Sequence, residues 1–245
     1  MTDKVKRLLF LVSLAVLWIL LAGCAKPQPE DLSPEEIISR AADRMLGLAG
    51  FEFLIERSGE PAFLDYDETI SFRRAEGKFV TPDQLYANVR IIAPGLVTEV
   101  RVIQIEEEQW ETNLLTGKWQ PTDPRYRLDL SPFFDSEMGI QAILYYDMVN
   151  PLLVGFEELP EIPGKQLYAI EATLDGGRVY QMSYGMIDNE TLQVKIWVDP
   201  DSFDLHRILI TDPADPGDEE DTIWRIDFWS FGSTFEIEKP TLSDE

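Results

Sequence analysis

The sequence predicts an α+β domain in which antiparallel strands form a half-barrel whose apolar concave face is covered by helices. Three observations carry this reading. Apolar residues recur at helical spacing over 33–48, and the period then falls to two across 51–120. A second helical stretch bounded by Pro132 and Pro151 precedes five further alternating segments that run to the C-terminus.

The chain begins "MTDKVKR", where Lys4, Lys6 and Arg7 outweigh Asp3, and continues with an apolar stretch of 15 residues from Leu8 to Ala22, interrupted only by Ser13. A bilayer-spanning helix needs about 20 residues, so this run is the length of a secretory h-region. Ala22 and Gly23 then precede Cys24, the only cysteine. "LAGC" resembles the lipobox of bacterial lipoprotein signal peptides, and the resemblance implies cleavage before a diacylglycerol-modified Cys24. Two acyl chains anchor stably where one is marginal. The expected organisation is a signal peptide at 1–23, the lipidated Cys24 and a tether to 32, one domain over 33–240, and a tail at 241–245. Pro27 and Pro29 favour an extended tether. Loss of Asp3, Lys4, Lys6 and Arg7 with the signal takes the net charge from −24 to −26. Such acidity argues against nucleic acid as a partner and against electrostatic adhesion to anionic lipid. With Cys24 acylated, no internal disulfide is possible, and stability rests on packing.

The first domain element reads "SPEEIISRAADRMLGLAG". Ser33 is an N-cap, Pro34 occupies the first helical position and Glu36 completes a capping box. Ile37, Ala41, Met45 and Leu48 share one face, and Gly47 and Gly50 mark the exit. Strands follow. Phe51, Phe53 and Ile55 align, as do Ile70 with Phe72, and Leu85, Ala87, Val89 and Ile91. Val100 and Val102 lie opposite Ile103 and Ile105, and "QWETNLLTGKWQ" predicts a hairpin turning at Thr116–Gly117. The second helix is expected to carry Ile140, Ile143, Leu144 and Met148 on one face. "LDGGRVYQMSYGMIDNE" reads as a loop or a short helix. "KQLYAIEAT", "LQVKIWVD", "DLHRILIT", "TIWRIDFWSF" and "TFEIEKP" read as strands, with an acidic hairpin tip at 212–221.

Catalytic and metal chemistry have little to stand on. His206 is the only histidine, which excludes His-based metal clusters, and it lies in a strand pattern. No nucleophile elbow, P-loop or dinucleotide fingerprint occurs. Asp199, Asp201 and Asp204 offer oxygen ligands, but lack the glycine and closing glutamate of an EF-hand, and a β-turn accounts for the same residues. No enzyme activity, metal or cofactor is expected. What remains is apolar surface. A filled core and an open cavity wall use the same residue types, so alternation alone leaves both open. The candidate cavity walls are Phe53, Ile55, Ile70, Phe72, Val89, Ile91, Val100 and Val102 on strands, with Ile143 and Leu144 on the central helix.

The order of lipobox, tether, capped helix, strands, helices and strands resembles the mycobacterial LprG/LppX lipoprotein family, relatives in fold of the LolA/LolB lipoprotein carriers. "LQVKIWVDPDSFDLHRILIT" looks like the family's strand, Asp-containing turn and strand. "WRIDFWSFGSTFEIEKP" looks like its closing pair, and the likeness covers about 31–240. It implies a strongly curved antiparallel sheet wrapping helices around an apolar cavity that binds an acylated lipid or glycolipid. It further implies a monomer, anchored outside the cytoplasmic membrane or on the periplasmic side of a two-membrane cell, with a membrane transporter as candidate partner. The alternative is an envelope interaction or assembly lipoprotein with a filled core. The many Trp and Phe side chains bear on this choice because they reduce cavity volume.

Overall fold

The computed structural model describes residues 32–65, 67–122, 130–214 and 220–242. The signal segment, Cys24, nearly all of the tether, the middle of the acidic tip and residues 243–245 lie outside them. Helix α1 spans Pro34–Leu46, as its caps dictate. Ser33 Oγ accepts from Glu36 N–H at 3.2 Å, while Glu35 and Glu36 in the first turn and Arg44 in the last complement the helix dipole. The Glu36 carboxylate accepts from Arg40 one turn on. Gly47 ends the helix with its N–H shared between the Asp43 and Arg44 carbonyls. Ile37, Ala41 and Met45 are buried along one face.

Among the described residues, twelve antiparallel strands form one sheet that is not closed: β1 Gly50–Ser58, β2 Ala62–Phe63, β3 Ser71–Val80, β4 Gln84–Ala93, β5 Leu96–Ile105, β6 Glu108–Thr112, β7 Trp119–Pro121, β8 Met148–Glu157, β9 Leu167–Asp175, β10 Thr191–Val198, β11 Leu205–Asp212 and β12 Thr222–Trp229. The order is β7-β6-β5-β4-β3-β1-β12-β11-β10-β9-β8, with β2 beside β3. Two meanders, one from each half of the chain, are thus joined where β1 pairs with β12.

The registers explain the two faces. One unbroken row crosses nine strands: Val100, Val89, Ala75, Ile55, Ile226, Ile208, Ile196, Ile170 and Leu153. All but Leu153 are buried. One residue further along each strand, the outward row reads Glu99, Arg90, Arg74, Glu56, Arg225, Leu209, Lys195, Glu171 and Leu152. Ion pairs lace this row, with Arg90–Glu99 at 2.6 Å, Arg225–Glu56 at 2.8 Å and Lys195–Glu171 at 3.1 Å. Period-two alternation therefore becomes an apolar inner face and a charged outer face.

The inner face is covered by α1, by a 3-10 turn at Ser131–Phe133 with the adjoining Phe134, and by helices α2 (Ile140–Tyr146) and α3 (Gly176–Met182). Ile140, Ile143, Leu144, Val179 and Met182 are buried beneath them. The unassigned "LDGGRVYQM" stretch is thus a helix, capped by Asp175, whose carboxylate accepts from Gly177 N–H at 3.0 Å.

Two expectations are corrected. Met148 does not continue the second helix but opens β8, a strand that contains Pro151, Asn150 at positive φ and two register shifts. An edge strand tolerates a proline that a central strand would reject. "TFEIEKP" forms no strand. Both neighbours of β12 are already present, so the chain leaving it has no free edge to extend. It runs as a strap over the outer face instead. Gly232 N–H bonds Gly50 C=O, the Phe235 ring lies under the Lys78 ammonium, and Lys239 pairs with Glu108 above Trp110.

Candidate ligand cleft

At the start of β1, side chains from three directions meet in an aromatic cluster. Phe134 packs against Phe53, Phe79 and Phe51 with centroid separations of 4.7, 4.9 and 5.4 Å. Phe51 also lies 5.5 Å from Phe228, edge to face. The strand residues come from alternation. Phe134 comes from the irregular segment that precedes α2. Room for Phe53 is provided by Gly77 on β3, where an added Cβ would sit 3.0 Å from the Phe53 ring and 2.1 Å from the Tyr86 carbonyl oxygen.

Beside this cluster is a cleft of about 210 Å3 lined by Met45, Leu46, Phe51, Phe79, Thr81, Pro82, Phe134, Asp135, Ser136, Ile140 and Gln141. Its lining combines apolar side chains with the polar groups of Thr81, Asp135, Ser136 and Gln141. Thr81 Oγ1 donates to Leu48 C=O at 2.7 Å, Asp135 Oδ1 accepts from Glu137 and Met138 N–H at 2.8 Å each, and Gln141 Nε2 donates to the Asp135 carbonyl. An apolar lining with a few polar groups suits an amphiphile. A larger concavity of about 370 Å3, lined by Val149, Thr173, Leu174, Asp175, Asn189, Glu190 and Thr191, is more polar and more open.

The residues expected as cavity walls are placed as follows. Phe53, Ile55, Phe72, Val89, Ile91, Val100 and Val102 are buried on the inner face, and Ile143 and Leu144 are buried on α2. Ile70 precedes β3 and is half-buried. None of the ten lines the 210 Å3 cleft. Phe53 packs against Phe134, which does line it. The cleft residues Phe51 and Phe79 carried the same alternation signal as their neighbours, whereas Phe134, Asp135 and Gln141 had no pattern that tied them to the sheet.

His206 sits on β11, buried, with its ring edge-on to Phe231 and Nε2 3.9 Å from Asp199. Both ring nitrogens are buried without a hydrogen-bond partner among the described residues. Burial, and then the Lys165 ammonium, hold its pKa below the ordinary value, against the opposing pull of Asp199 and Asp204. Asp199 makes the β-turn expected of it, accepting from Asp201 N–H at 2.7 Å and Ser202 N–H at 3.2 Å. Burial raises its pKa, but the Lys165 ion pair and these two N–H groups outweigh that and lower it overall. The described residues hold no group of three or more His, Cys, Asp or Glu side chains able to take a metal.

Comparison with known proteins places this architecture. No curated protein sequence matches the chain. The crystal structure of LprF from Mycobacterium bovis superposes with a TM-score of 0.65 at 16% identity, covering 88% of this chain and 99% of that one. The Mycobacterium tuberculosis lipoprotein LppX gives a TM-score of 0.57 at 15% identity, covering 85% and 100% respectively. These are likenesses of fold: an open antiparallel sheet around helices. The family model described as LppX_LprAFG lipoprotein matches residues 33–233, from the N-cap of α1 to the start of the C-terminal strap, and the chain belongs to that family.

Proposed function

We propose that this chain is a lipid-anchored, extracytoplasmic protein that binds the acyl portion of a lipid or glycolipid between sheet and helices and assists its transport. The observation that carries the reading is the cleft lined by Phe51, Phe79 and Phe134 with a few polar groups among them, in a family of lipid-binding lipoproteins. An acyl chain leaving a bilayer costs roughly 25 cal/mol per Å2 of exposed apolar area, and an apolar wall offsets this without covalent chemistry. At about 210 Å3 the cleft is smaller than the roughly 300–1,000 Å3 of typical ligand pockets. It accepts the end of a chain, and a complete lipid requires the cover of α1, the 130–136 segment and α2 to lift from the sheet. Directionality would come from a membrane partner such as a transporter.

Native mass spectrometry of the mature lipoprotein tests the proposal. Co-purified acyl lipid, or saturable uptake of a labelled glycolipid, is the expected result. An interior that takes up no lipid under any condition would overturn it and leave the filled-core interaction module, which the five packed Phe rings favour. A Cys24→Ala variant is expected to lose membrane attachment once the signal is removed and to keep its fold.

A further inference from the structure

The cleft beside α1 carries a charge of its own, and that charge is negative. Met45, Phe51, Phe79, Phe134 and Ile140 supply its buried apolar lining, while Thr81, Asp135 and Ser136 are exposed along it. Asp135 is the only ionisable side chain among the lining residues. Its Oδ1 accepts from the Glu137 and Met138 N–H groups, and its Oδ2 has no hydrogen-bond partner among the described residues. The Thr81 hydroxyl donates its proton to Leu48 C=O, which leaves it only acceptor capacity. Gln141 directs one amide N–H to Asp135 C=O and is itself buried. The polar part of the lining is therefore rich in acceptors and poor in donors, with the Ser136 hydroxyl as the exposed exception.

The surroundings add to this charge and do not offset it. Asp43, Asp83 and Glu137 lie within two residues of the lining along the chain, and none of them forms an ion pair among the described residues. Asp43 accepts from the Tyr145 hydroxyl, which leaves its charge in place. The cations nearby are engaged. Arg44 pairs with Asp204 at 2.7 Å, and Arg178, which donates to the Glu137 carbonyl at 3.0 Å, pairs with Asp147 at 2.6 Å. Glu52 and Lys78 are register partners that alternate with Phe51, Phe53 and Phe79, so they point to the outer face. An anionic head group would enter this field against Coulomb repulsion, whereas a hydroxyl can donate to Asp135 Oδ2. A unit charge about 6 Å from a carboxylate, at an effective dielectric constant of about 40, loses about tenfold in affinity. From these observations we infer that the cleft selects amphiphiles with an uncharged, hydroxyl-bearing head over anionic ones, and that Asp135 sets the preference. The inference rests on the lipid-binding reading and narrows its ligand class.

Lauric acid and its glycerol monoester share a chain and differ in the head. The mature lipoprotein, stripped of bound lipid in a non-ionic detergent, is incubated with equal amounts of both at about pH 8, where the acid is ionised. Native mass spectrometry then reads the ratio of the two bound masses. The monoester is expected in about tenfold excess, falling to about twofold in Asp135→Asn. The Asn side-chain oxygen can still accept from the Glu137 and Met138 N–H groups, so the turn is kept. Glu137→Gln removes a neighbouring charge that does not line the cleft, and should leave the excess above about fivefold. Raising the salt to about 1 M screens the field and should lower the wild-type excess, a reading that needs no substitution. A wild-type ratio near one overturns the inference, as does an excess that Asp135→Asn leaves unchanged or that Glu137→Gln lowers equally. Failure of either lipid to bind any of the three chains would instead overturn the lipid-binding reading, so the two failures are told apart.

Discussion

Phe134 holds the cover of the interior to the sheet, and Phe134→Ala tests that arrangement in two directions at once. The ring contacts three others at 4.7–5.4 Å and is buried. Phe→Ala in a core costs about 3–5 kcal/mol, combining lost transfer free energy with the cavity left behind. Each aromatic pair contributes about 0.5–1.5 kcal/mol of specific geometry within that total. For a domain of this size the loss lowers Tm by roughly 6–20 °C, at about 2–4 °C per kcal/mol. The vacated space adjoins the 210 Å3 cleft, so the same substitution enlarges the binding volume. Urea unfolding measures the first effect, and uptake of a fluorescent fatty acid by delipidated protein measures the second. The expected result is a less stable protein that takes up more probe. A stability change under about 1 kcal/mol would refute the reasoning, because it would mean that the 130–136 segment does not pack on the sheet. A large loss of stability with unchanged uptake would detach the cleft from ligand binding.

Three other substitutions probe separate parts of the fold. Gly77→Val should cost at least about 3 kcal/mol, since a Cβ would press on the Tyr86 carbonyl and the Phe53 ring, and urea melts should show a lower midpoint. Arg207 makes a two-point contact with Asp227 at 2.5 and 3.0 Å and pairs with Glu161 at 2.9 Å, with little exposure. Arg207→Ala should therefore lose about 1.5–3 kcal/mol, because Asp227 loses its two-point partner and keeps only Arg225 at 3.2 Å, while Arg207→Met with Asp227→Leu should recover much of it. His206 gives a pH signature. Its folded pKa is depressed, so the unfolded chain binds the proton more readily, and stability is complete above about pH 6.5 and declines as pH falls below it. His206→Phe, which keeps the edge contact with Phe231, should flatten the dependence of Tm on pH between about 7 and 5. An unchanged slope would place the sensitivity elsewhere.

Much of the strand architecture was legible because a half-buried strand writes its inner face at every second residue. Val100, Val89 and Ile55, which alternation had already sorted to one side, lie in one row, and the registers added their order and continued it to Ile170. The capped helix was legible from Ser33, Pro34 and Gly47 for an equally local reason. Strand β8 was hidden by Pro151, which reads as a terminator unless the strand is known to lie at an edge. The C-terminal segment misled in the opposite sense, because its alternating burial comes from lying across a sheet face. Alternation records which side chains are covered, not whether the backbone is paired.

By itself the sequence determined the class of fold, the inner face of several N-terminal strands and, through Cys24 and its flanks, the expectation of a membrane anchor. These depend on interactions within a few residues of one another: periodicity, caps and a cleavage signal. Only the tertiary structure decided that Phe51, Phe79 and Phe134 meet beside a cleft. Those residues come from separate strands and an irregular segment. Their proximity is set by strand order and register across the whole chain, which no local pattern encodes.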